Sequence, residues 1–399
     1  MTNDPLRILF LSHAFPPGVS NRFPAIQNAP HAQQTHMARA FARLAEVSSV
    51  GWLPAKVWGR LEPRDNSDGL EHDLLLWDLK PELWHRWRSW HRLRRFYLDR
   101  VKTEGMPDVL LVSNILPVFN HFVRWLRKQP RRPLTVLFLN DCGGLGQQDS
   151  LSRRLRYKLK PMQMLDNDAV HLYDACIALA IGTRRYFEPR GTPWMCMPGA
   201  YNFTYDPPLK DVTQSGPVRF GYFGGLSDDS ATMQMVRAFS DSGVPGSLHV
   251  CGFGNKSEAL KKLAKSHENF HFDGLLPITS DCMAWAQRVD VLINPRLPIW
   301  ENSFPSKIFQ YGITGKAILS TRIGGVDEVL GEQGIYFDAQ NLEEALCQKL
   351  REVAAMDHAE LQSRGAAIRK LMLTDYNWDA QAQRMVAFMK KIIKARRAD

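Results

Sequence analysis

Residues 219–225 read RFGYFGG, an apolar and aromatic run that closes on two glycines. A run of this length and composition is typical of a strand buried in a parallel sheet. The pattern returns as SLHVCGFG at 247–254, and apolar runs follow at 289–293 and 317–320. Because helical periodicity lies between these runs, for instance over Met233–Phe239, the segment predicts an α/β domain with a parallel sheet.

The first half of the chain shows the same alternation, up to a stretch rich in proline and polar residues at 202–216. A helix is predicted over 32–44, where apolar residues recur at helical spacing. The predicted strands of this half are residues 7–12, 47–53, 108–113, 134–139 and 175–180.

We therefore expect two Rossmann-like domains that face each other across a cleft, an α/β architecture that binds ligands at the C-terminal ends of its strands. The first domain is expected over 1–200 and the second over 201–375. Residues 376–399 are expected to form a C-terminal helix that packs back towards the first domain.

The composition is that of a globular protein, with 44% apolar and 23% charged residues in a chain of 399. None of the six cysteines stands at metal-site or CxxC spacing, so we expect no metal, and the pattern suits a reducing compartment. The N-terminus lacks the composition of a signal peptide, and no apolar stretch approaches the length of a membrane span. We expect a cytoplasmic protein, peripheral to the inner face of the plasma membrane.

The net charge of +10 is unevenly distributed. Residues 1–200 carry 28 Lys and Arg against 18 Asp and Glu, whereas residues 201–399 carry 23 against 23. The whole excess therefore lies in the first half, which suggests that this half faces a polyanionic surface. No nucleic-acid-binding motif accompanies the charge, so we do not expect a nucleic acid as the partner.

Six segments between Phe220 and Leu350 stand in the order and spacing of a known domain. They are FGYFGG (220–225), HVCGFG (249–254), ENFHFDGLLP (268–277), VDVLINPRLP (289–298), FPSKIFQYGITGKAILST (304–321) and RIGGVDEVLGEQGIYF (322–337). This set resembles the donor-binding domain of GT-B glycosyltransferases, in particular the family-4-like glycosyl transferases group 1 with an FPSK segment. The first half resembles the family more loosely, through RILFLSHAFPPG and LFLND.

The resemblance implies a nucleotide diphosphate sugar as donor, with a uridine diphosphate sugar expected, and no permanently bound cofactor or metal. A diphosphate needs backbone N–H groups and a cation, and a ribose diol needs a polar partner. Lys307 supplies a cation, and Gln310 lies one helical turn later on the same face. The residues expected to contact the donor are Gly224, Gly225, Gly252, Arg296, Phe304, Pro305, Ser306, Lys307 and Gln310.

The sequence departs from the family at two places. The family often has two glutamates separated by seven intervening residues, where this chain has the amides Asn302 and Gln310. The basic residue that often follows the first strand of the donor domain is replaced by Gly225-Leu226-Ser227. Lys307 and Arg296 are then left to bind the diphosphate. The alternative is that the glycines only form a tight turn and that Lys307 is a solvated helix residue.

Two residues of the first half are candidates for the chemistry. Asp141 follows the strand LFLN, where it is expected to reach the cleft and act as the general base that deprotonates the acceptor hydroxyl. A helix-capping role for this aspartate is the alternative. His13, which follows the first strand, is the second candidate. The amide at position 302 favours an inverting reaction over a retaining one.

Residues 83–100 form a basic and aromatic helix. At 100° per residue, Leu83, Trp84, Trp87, Trp90, Tyr97 and Leu98 share one arc, with Arg88, Arg92 and Arg95 opposite. We expect these tryptophans and arginines to bind an anionic membrane surface. The alternative is a domain helix with tryptophans in the core and arginines in water.

The sequence thus predicts an enzyme that transfers a sugar to a glycan or lipid-linked acceptor in polysaccharide or glycolipid synthesis. Two other interpretations remain open. One is a sugar-nucleotide epimerase of the same fold. The other is a non-catalytic descendant that binds a glycan or a nucleotide.

Overall fold

The computed structural model divides the chain into two compact units. One unit comprises residues 1–197 together with 378–399, and the other comprises residues 198–377. The residues that the structure describes are 5–12, 14, 28–53, 72–77, 83–114, 116–140, 170–201, 216–227, 230–276, 279–300 and 303–398.

The first unit is built on a seven-stranded parallel sheet in the order β3-β2-β1-β4-β5-β6-β7. Its central strands are buried along their whole length, which explains their unbroken apolar sequences. The strands are β1 (Leu6–Ser12), β2 (Ala45–Leu53), β3 (Leu74–Trp77), β4 (Val109–Ser113), β5 (Leu134–Leu139), β6 (Ala175–Ala178) and β7 (Trp194–Cys196).

The helices of this unit cover the sheet. They are α1 (Asn28–Ala42), α2 (Leu83–Glu104), α3 (Pro117–Leu126) and α4 (Arg184–Phe187). Helix α2 buries Leu93 and Tyr97, and the Tyr97 ring meets Phe122 of α3 edge to face at a centroid distance of 5.4 Å.

The exposed face of α2 differs from the predicted one. Trp87 is 55% exposed and Leu98 is 37% exposed, so both lie among the exposed arginines and not in the core. Trp90 is half-buried beside Arg94, whose guanidinium lies 5.6 Å from the indole centroid. The predicted single apolar arc is therefore wrong, because the angle around a helix does not reveal which side the sheet will cover.

The second unit contains a six-stranded parallel sheet in the order β10-β9-β8-β11-β12-β13. Its core is formed by apolar residues of the strands and of the helices packed on them. The strands are β8 (Arg219–Gly225), β9 (Ser247–Phe253), β10 (Phe270–Gly274), β11 (Val291–Asn294), β12 (Ala317–Thr321) and β13 (Ile335–Phe337).

Seven helices are described in the second unit, and a final long helix belongs to the first. The seven are α5 (Thr232–Ser242), α6 (Ser257–Ala264), α7 (Thr279–Ala286), α8 (Lys307–Ile313), α9 (Val326–Leu330), α10 (Leu342–Ala354) and α11 (His358–Thr374). The final helix α12 (Trp378–Ala398) packs on α1, and its Arg396 lies 3.3 Å from the Asp174 carboxylate. None of the helices in the described parts of the chain combines the length and apolarity that crossing a membrane requires.

Candidate functional site

The carboxyl ends of β8 and β11 are the natural place for a ligand in the second unit. From β8, the chain continues to β9 on one side of the sheet, and it later returns to β11 on the other side. At such a switch point the loops separate and leave a crevice. The segments that carry the predicted donor residues follow these strands, so the topology brings them to one edge of the sheet.

Glycines bring two strand ends into close contact at this edge. Gly224 and Gly252 face each other in register, with φ of +143° and +147°, a conformation that other residues rarely adopt. A Cβ on Gly252 would lie 1.9 Å from the Gly224 carbonyl oxygen, so only glycine fits. Beside this contact Gly225 is exposed, and nothing lies within 4 Å of a Cβ built on it.

Lys307 is placed directly on this glycine turn. Its Nζ donates a hydrogen bond to the Tyr222 hydroxyl at 2.6 Å and lies 3.9 Å from the centre of the same ring. A Cβ built on Gly224 would lie 2.6 Å from Nζ and 2.7 Å from Cε, so the lysine stem occupies the space that the glycine leaves. The structure therefore brings Gly224, Gly225 and Lys307 together at one point.

The electrostatics of Lys307 are unusual for a lysine. Burial of its ammonium, together with the positive charge of Arg296, lowers its pKa from 10.5 to about 7. No carboxylate among the described residues forms an ion pair with it. A cation that is desolvated and lacks an acidic partner is suited to bind an anionic ligand.

The remaining residues of the FPSK segment divide between surface and core. Ser306 is exposed and Gln310 is half-buried, and the Ser306 side chain does not cap α8. Phe304 and Pro305 are buried, and the Phe304 ring stacks on Phe309 at a centroid distance of 5.2 Å. Ser306 and Gln310 therefore remain accessible to a ligand, whereas Phe304 and Pro305 hold the segment in place.

Two tyrosines at the site were not anticipated from the sequence. Tyr222 donates its hydroxyl hydrogen to the Gly225 carbonyl at 2.7 Å while it accepts the bond from Lys307. The Tyr311 hydroxyl lies 3.2 Å from the Phe223 nitrogen and 3.1 Å from its oxygen, which ties α8 to β8. Tyr311 stands four residues after Lys307, so helical spacing offered a signal for it.

The two catalytic candidates, Asp141 and His13, lie outside the described residues, as does Asn302. The side chain of Trp84 is likewise not described. Among the described residues, no group of three or more His, Cys, Asp or Glu side chains is arranged to hold a metal ion.

The second unit matches a known family. Residues 218–356 fit the model of the family described as "Glycosyl transferases group 1". The match spans every strand and helix that forms the site above, from β8 to α10, so the resemblance indicated by the sequence motifs is confirmed.

One curated relative also matches part of the chain. It is an uncharacterized 42.6 kDa protein in the cps region of Klebsiella pneumoniae, 25% identical over 130 residues. The alignment covers 32% of this chain and 33% of the relative, so the chain matches about a third of that protein's length.

Solved structures match over nearly the whole chain. A glycosyltransferase from Rickettsia africae ESF-5 gives a TM-score of 0.66 at 13% identity, covering 98% of this chain and 99% of that one. The lipopolysaccharide outer core galactosyltransferase WaaB gives 0.63 at 11% identity, covering 97% and 99%. A trehalose-6-phosphate protein from E. coli, solved with UDP-2-fluoro glucose, gives 0.59 at 10%, covering 96% and 99%. The predicted GT-B architecture of two Rossmann-like domains is thus confirmed.

We expect Gly224→Ala to move the Lys307 ammonium off Tyr222, because the new methyl group takes the space of the lysine stem. The ammonium then moves towards water, and its titration midpoint rises from about 7 towards 10.5. A titration of ¹³Cε-labelled lysine by NMR measures this, with the Lys307 signal assigned by its loss in Lys307→Arg.

Gly225→Ala is the control, because nothing lies within 4 Å of a Cβ at that position. Its Lys307 midpoint should remain that of the parent protein. Equal midpoints in the Gly224→Ala variant and the parent would show that the lysine does not rest on this glycine.

Proposed function

We propose that this protein is a glycosyltransferase that takes its sugar from a nucleotide diphosphate donor bound at the glycine turn of the second unit. The observation that carries the proposal is the Lys307 ammonium, placed on Gly224 without a carboxylate partner among the described residues. A diphosphate supplies the negative charge that this arrangement lacks. The match of residues 218–356 to the model of a glycosyltransferase family supports this assignment.

The donor is proposed to be a uridine diphosphate sugar. Support comes from the E. coli trehalose-6-phosphate structure, which was solved with UDP-2-fluoro glucose. In our proposal, Lys307 and Arg296 neutralise the diphosphate, and the half-buried Gln310 accepts a hydrogen bond from the ribose hydroxyls. The same two cations stabilise the nucleotide diphosphate as it leaves, when its charge increases.

The acceptor hydroxyl needs a base as it attacks the anomeric carbon. We assign this role to Asp141, with His13 as the second candidate, because each follows a strand of the first unit. The acceptor is proposed to be a glycan or a lipid-linked glycan in polysaccharide or glycolipid assembly. The relative from a cps region and the similarity of the fold to a lipopolysaccharide galactosyltransferase support this class of acceptor.

A lipid-linked acceptor is also favoured by the exposed face of α2. Trp87 and Leu98 project there beside Arg88, Arg92 and Arg95, all five of them exposed. Burial and the neighbouring charge of Arg88 lower the pKa of Arg92, which shows how closely these cations are spaced. Exposed apolar side chains among arginines are typical of a surface that binds an anionic membrane.

We expect Lys307→Ala to weaken donor binding more than Gln310→Ala. A charge-assisted bond to phosphate is worth about 1.5–3 kcal/mol, against roughly 1 for a neutral one, so the affinities should fall about 10- to 100-fold and about fivefold. Calorimetry of the full chain with uridine, guanosine and adenosine diphosphate sugars measures this.

The same titrations, followed by an assay for turnover of the donor, distinguish a glycosyltransferase from an epimerase and from a non-catalytic protein. Binding followed by sugar transfer supports the proposal, and binding followed by conversion of the donor without acceptor identifies an epimerase. Binding without turnover identifies a non-catalytic protein. Equal losses in the two variants would refute the roles of Lys307 and Gln310.

Asp141→Asn should abolish transfer and leave donor affinity nearly unchanged. The amide keeps the shape of the side chain but cannot accept the proton, and loss of a general base typically costs about 10²–10⁴ in rate. Steady-state kinetics with the natural donor, beside calorimetry for affinity, tests this. A variant that retains most of its turnover removes Asp141 from the mechanism.

The protein should pellet with vesicles of phosphatidylcholine and phosphatidylglycerol, and not with phosphatidylcholine alone. Each basic side chain at an anionic surface contributes about 1 kcal/mol, so changing Arg88, Arg92 and Arg95 together to glutamate should release the protein. Salt should release it as well, because screening shortens the reach of the charges.

The matched control changes the exposed Lys261, Lys262 and Lys265 of the second unit to glutamate, with the same change in net charge. This variant should still pellet. If both triple variants behave alike, α2 is an ordinary domain helix.

A further inference from the structure

Tyr222 connects the lysine of the site to the glycine turn. It lies in β8 with its ring buried, and its hydroxyl stands between Lys307 Nζ at 2.6 Å and the Gly225 carbonyl oxygen at 2.7 Å. A phenol has a single hydrogen, and the carbonyl can only accept, so that hydrogen points at Gly225. The oxygen lone pairs then face the lysine, which must donate.

This geometry fixes the position of the ammonium from two sides. The hydroxyl accepts one N–H bond, and the face of the same ring lies 3.9 Å from Nζ, within the range of a cation–π contact. Loss of the hydroxyl would leave a long flexible lysine stem held only by the ring. Tyr222 therefore determines where the positive charge of the site stands.

The other described groups near Lys307 do not balance its charge. They are Arg296 after β11, Cys251 in β9 and Tyr311 in α8, whose ring centre lies 6.0 Å from Nζ. A hydrogen bond with Cys282 and burial raise the pKa of Cys251, and burial raises the pKa of Tyr311, so both stay neutral. Among the described residues, no carboxylate forms an ion pair with Lys307, and an anionic ligand would supply the countercharge for its ammonium.

We propose that Tyr222 is the positioning residue for Lys307 and that donor binding takes up one proton at the Lys307 amine, an inference that rests on the proposed function. The proton comes from water or buffer and adds to the amine lone pair, and no bond of the donor breaks in this step. The arriving diphosphate stabilises the ammonium, and its departure releases the proton again.

The consequence is a pH dependence of donor affinity with a defined sign. The folded pKa of Lys307 is about 7, so the amine is mostly protonated below pH 7 and mostly neutral above it. If only the ammonium form binds, affinity is constant below pH 7 and falls by up to about tenfold per pH unit above it. The esterified phosphates of a nucleotide sugar do not titrate in this range, so the donor adds no pH dependence of its own.

The experiment is calorimetry of the full chain with UDP-glucose, or with whichever nucleotide sugar binds the parent protein most tightly, from pH 6 to 8.5. Two buffers of different ionisation enthalpy at each pH give the number of protons taken up. The parent protein should take up close to one proton per bound donor at pH 8 and only a small fraction of a proton at pH 6.

Tyr222→Phe should weaken binding about two- to tenfold, because the lysine is no longer held in place before the donor arrives and must be ordered on binding. It should also move the midpoint of the pH dependence below that of the parent, because the ammonium loses an acceptor. Tyr336→Phe is the matched control, since the Tyr336 hydroxyl likewise donates to a backbone carbonyl, that of Gly331 at 2.6 Å, whereas the bond from Lys307 goes to Tyr222. This control should keep both the affinity and the midpoint.

Lys307→Arg provides a second test that does not depend on Tyr222→Phe folding well. An arginine stays charged throughout this range, so its pH dependence and its proton uptake should vanish. Unchanged affinity and midpoint in Tyr222→Phe, or an unaltered pH profile in Lys307→Arg, overturns the inference and leaves the proposed function standing. Failure of the parent protein to bind every nucleotide sugar overturns both.

Discussion

The contact between Lys307 and the Gly224 turn is the constraint on which the site depends. Glycine is needed at 224 because the lysine stem fills the space of a Cβ, and at 252 because a Cβ there would collide with the Gly224 carbonyl. The lysine in turn needs Tyr222, the one hydroxyl that accepts its N–H among the described residues. Four residues from two strands and one helix thus specify a single position for a positive charge.

Placing the Lys307 ammonium at this position costs hydration free energy, and binding of an anion can offset that cost. Burial of an ammonium away from water is unfavourable, and the lowered pKa of Lys307 expresses that cost. A neutral side chain in the first turn of α8 would have avoided this loss of hydration free energy. A cation kept in an unfavourable state binds an arriving anion with less loss of its own hydration, which is what a diphosphate site requires.

The sequence predicted the sheets well and the side-chain environments less well. The central strands β1, β4 and β5 are apolar runs buried on both faces, and such runs are readily recognised in the sequence as strands. The edge strands β3, β7 and β13 have only four, three and three residues, too few for a clear period. The face of α2 was misassigned because Trp87 is apolar yet exposed, and only the packing of Leu93 and Tyr97 reveals which side is covered.

The site shows the same limit. The FPSK segment and the glycines were found because each carries a local pattern. Tyr222 was not, because an aromatic residue in a buried strand looks like core, and its bond to Lys307 joins residues 85 positions apart. The lowered pKa of Lys307 also follows from burial by distant segments, so no local pattern encodes it.

The most direct test of the account is a crystal structure of the full chain with UDP-2-fluoro glucose, or with the tightest-binding nucleotide sugar. The account predicts diphosphate oxygens within about 4 Å of Lys307 Nζ, the usual limit of an ion pair, above the Gly224 turn and with Tyr222 still bonded to the lysine. A nucleotide bound elsewhere in the molecule, or one whose diphosphate leaves Lys307 without contact, would contradict it.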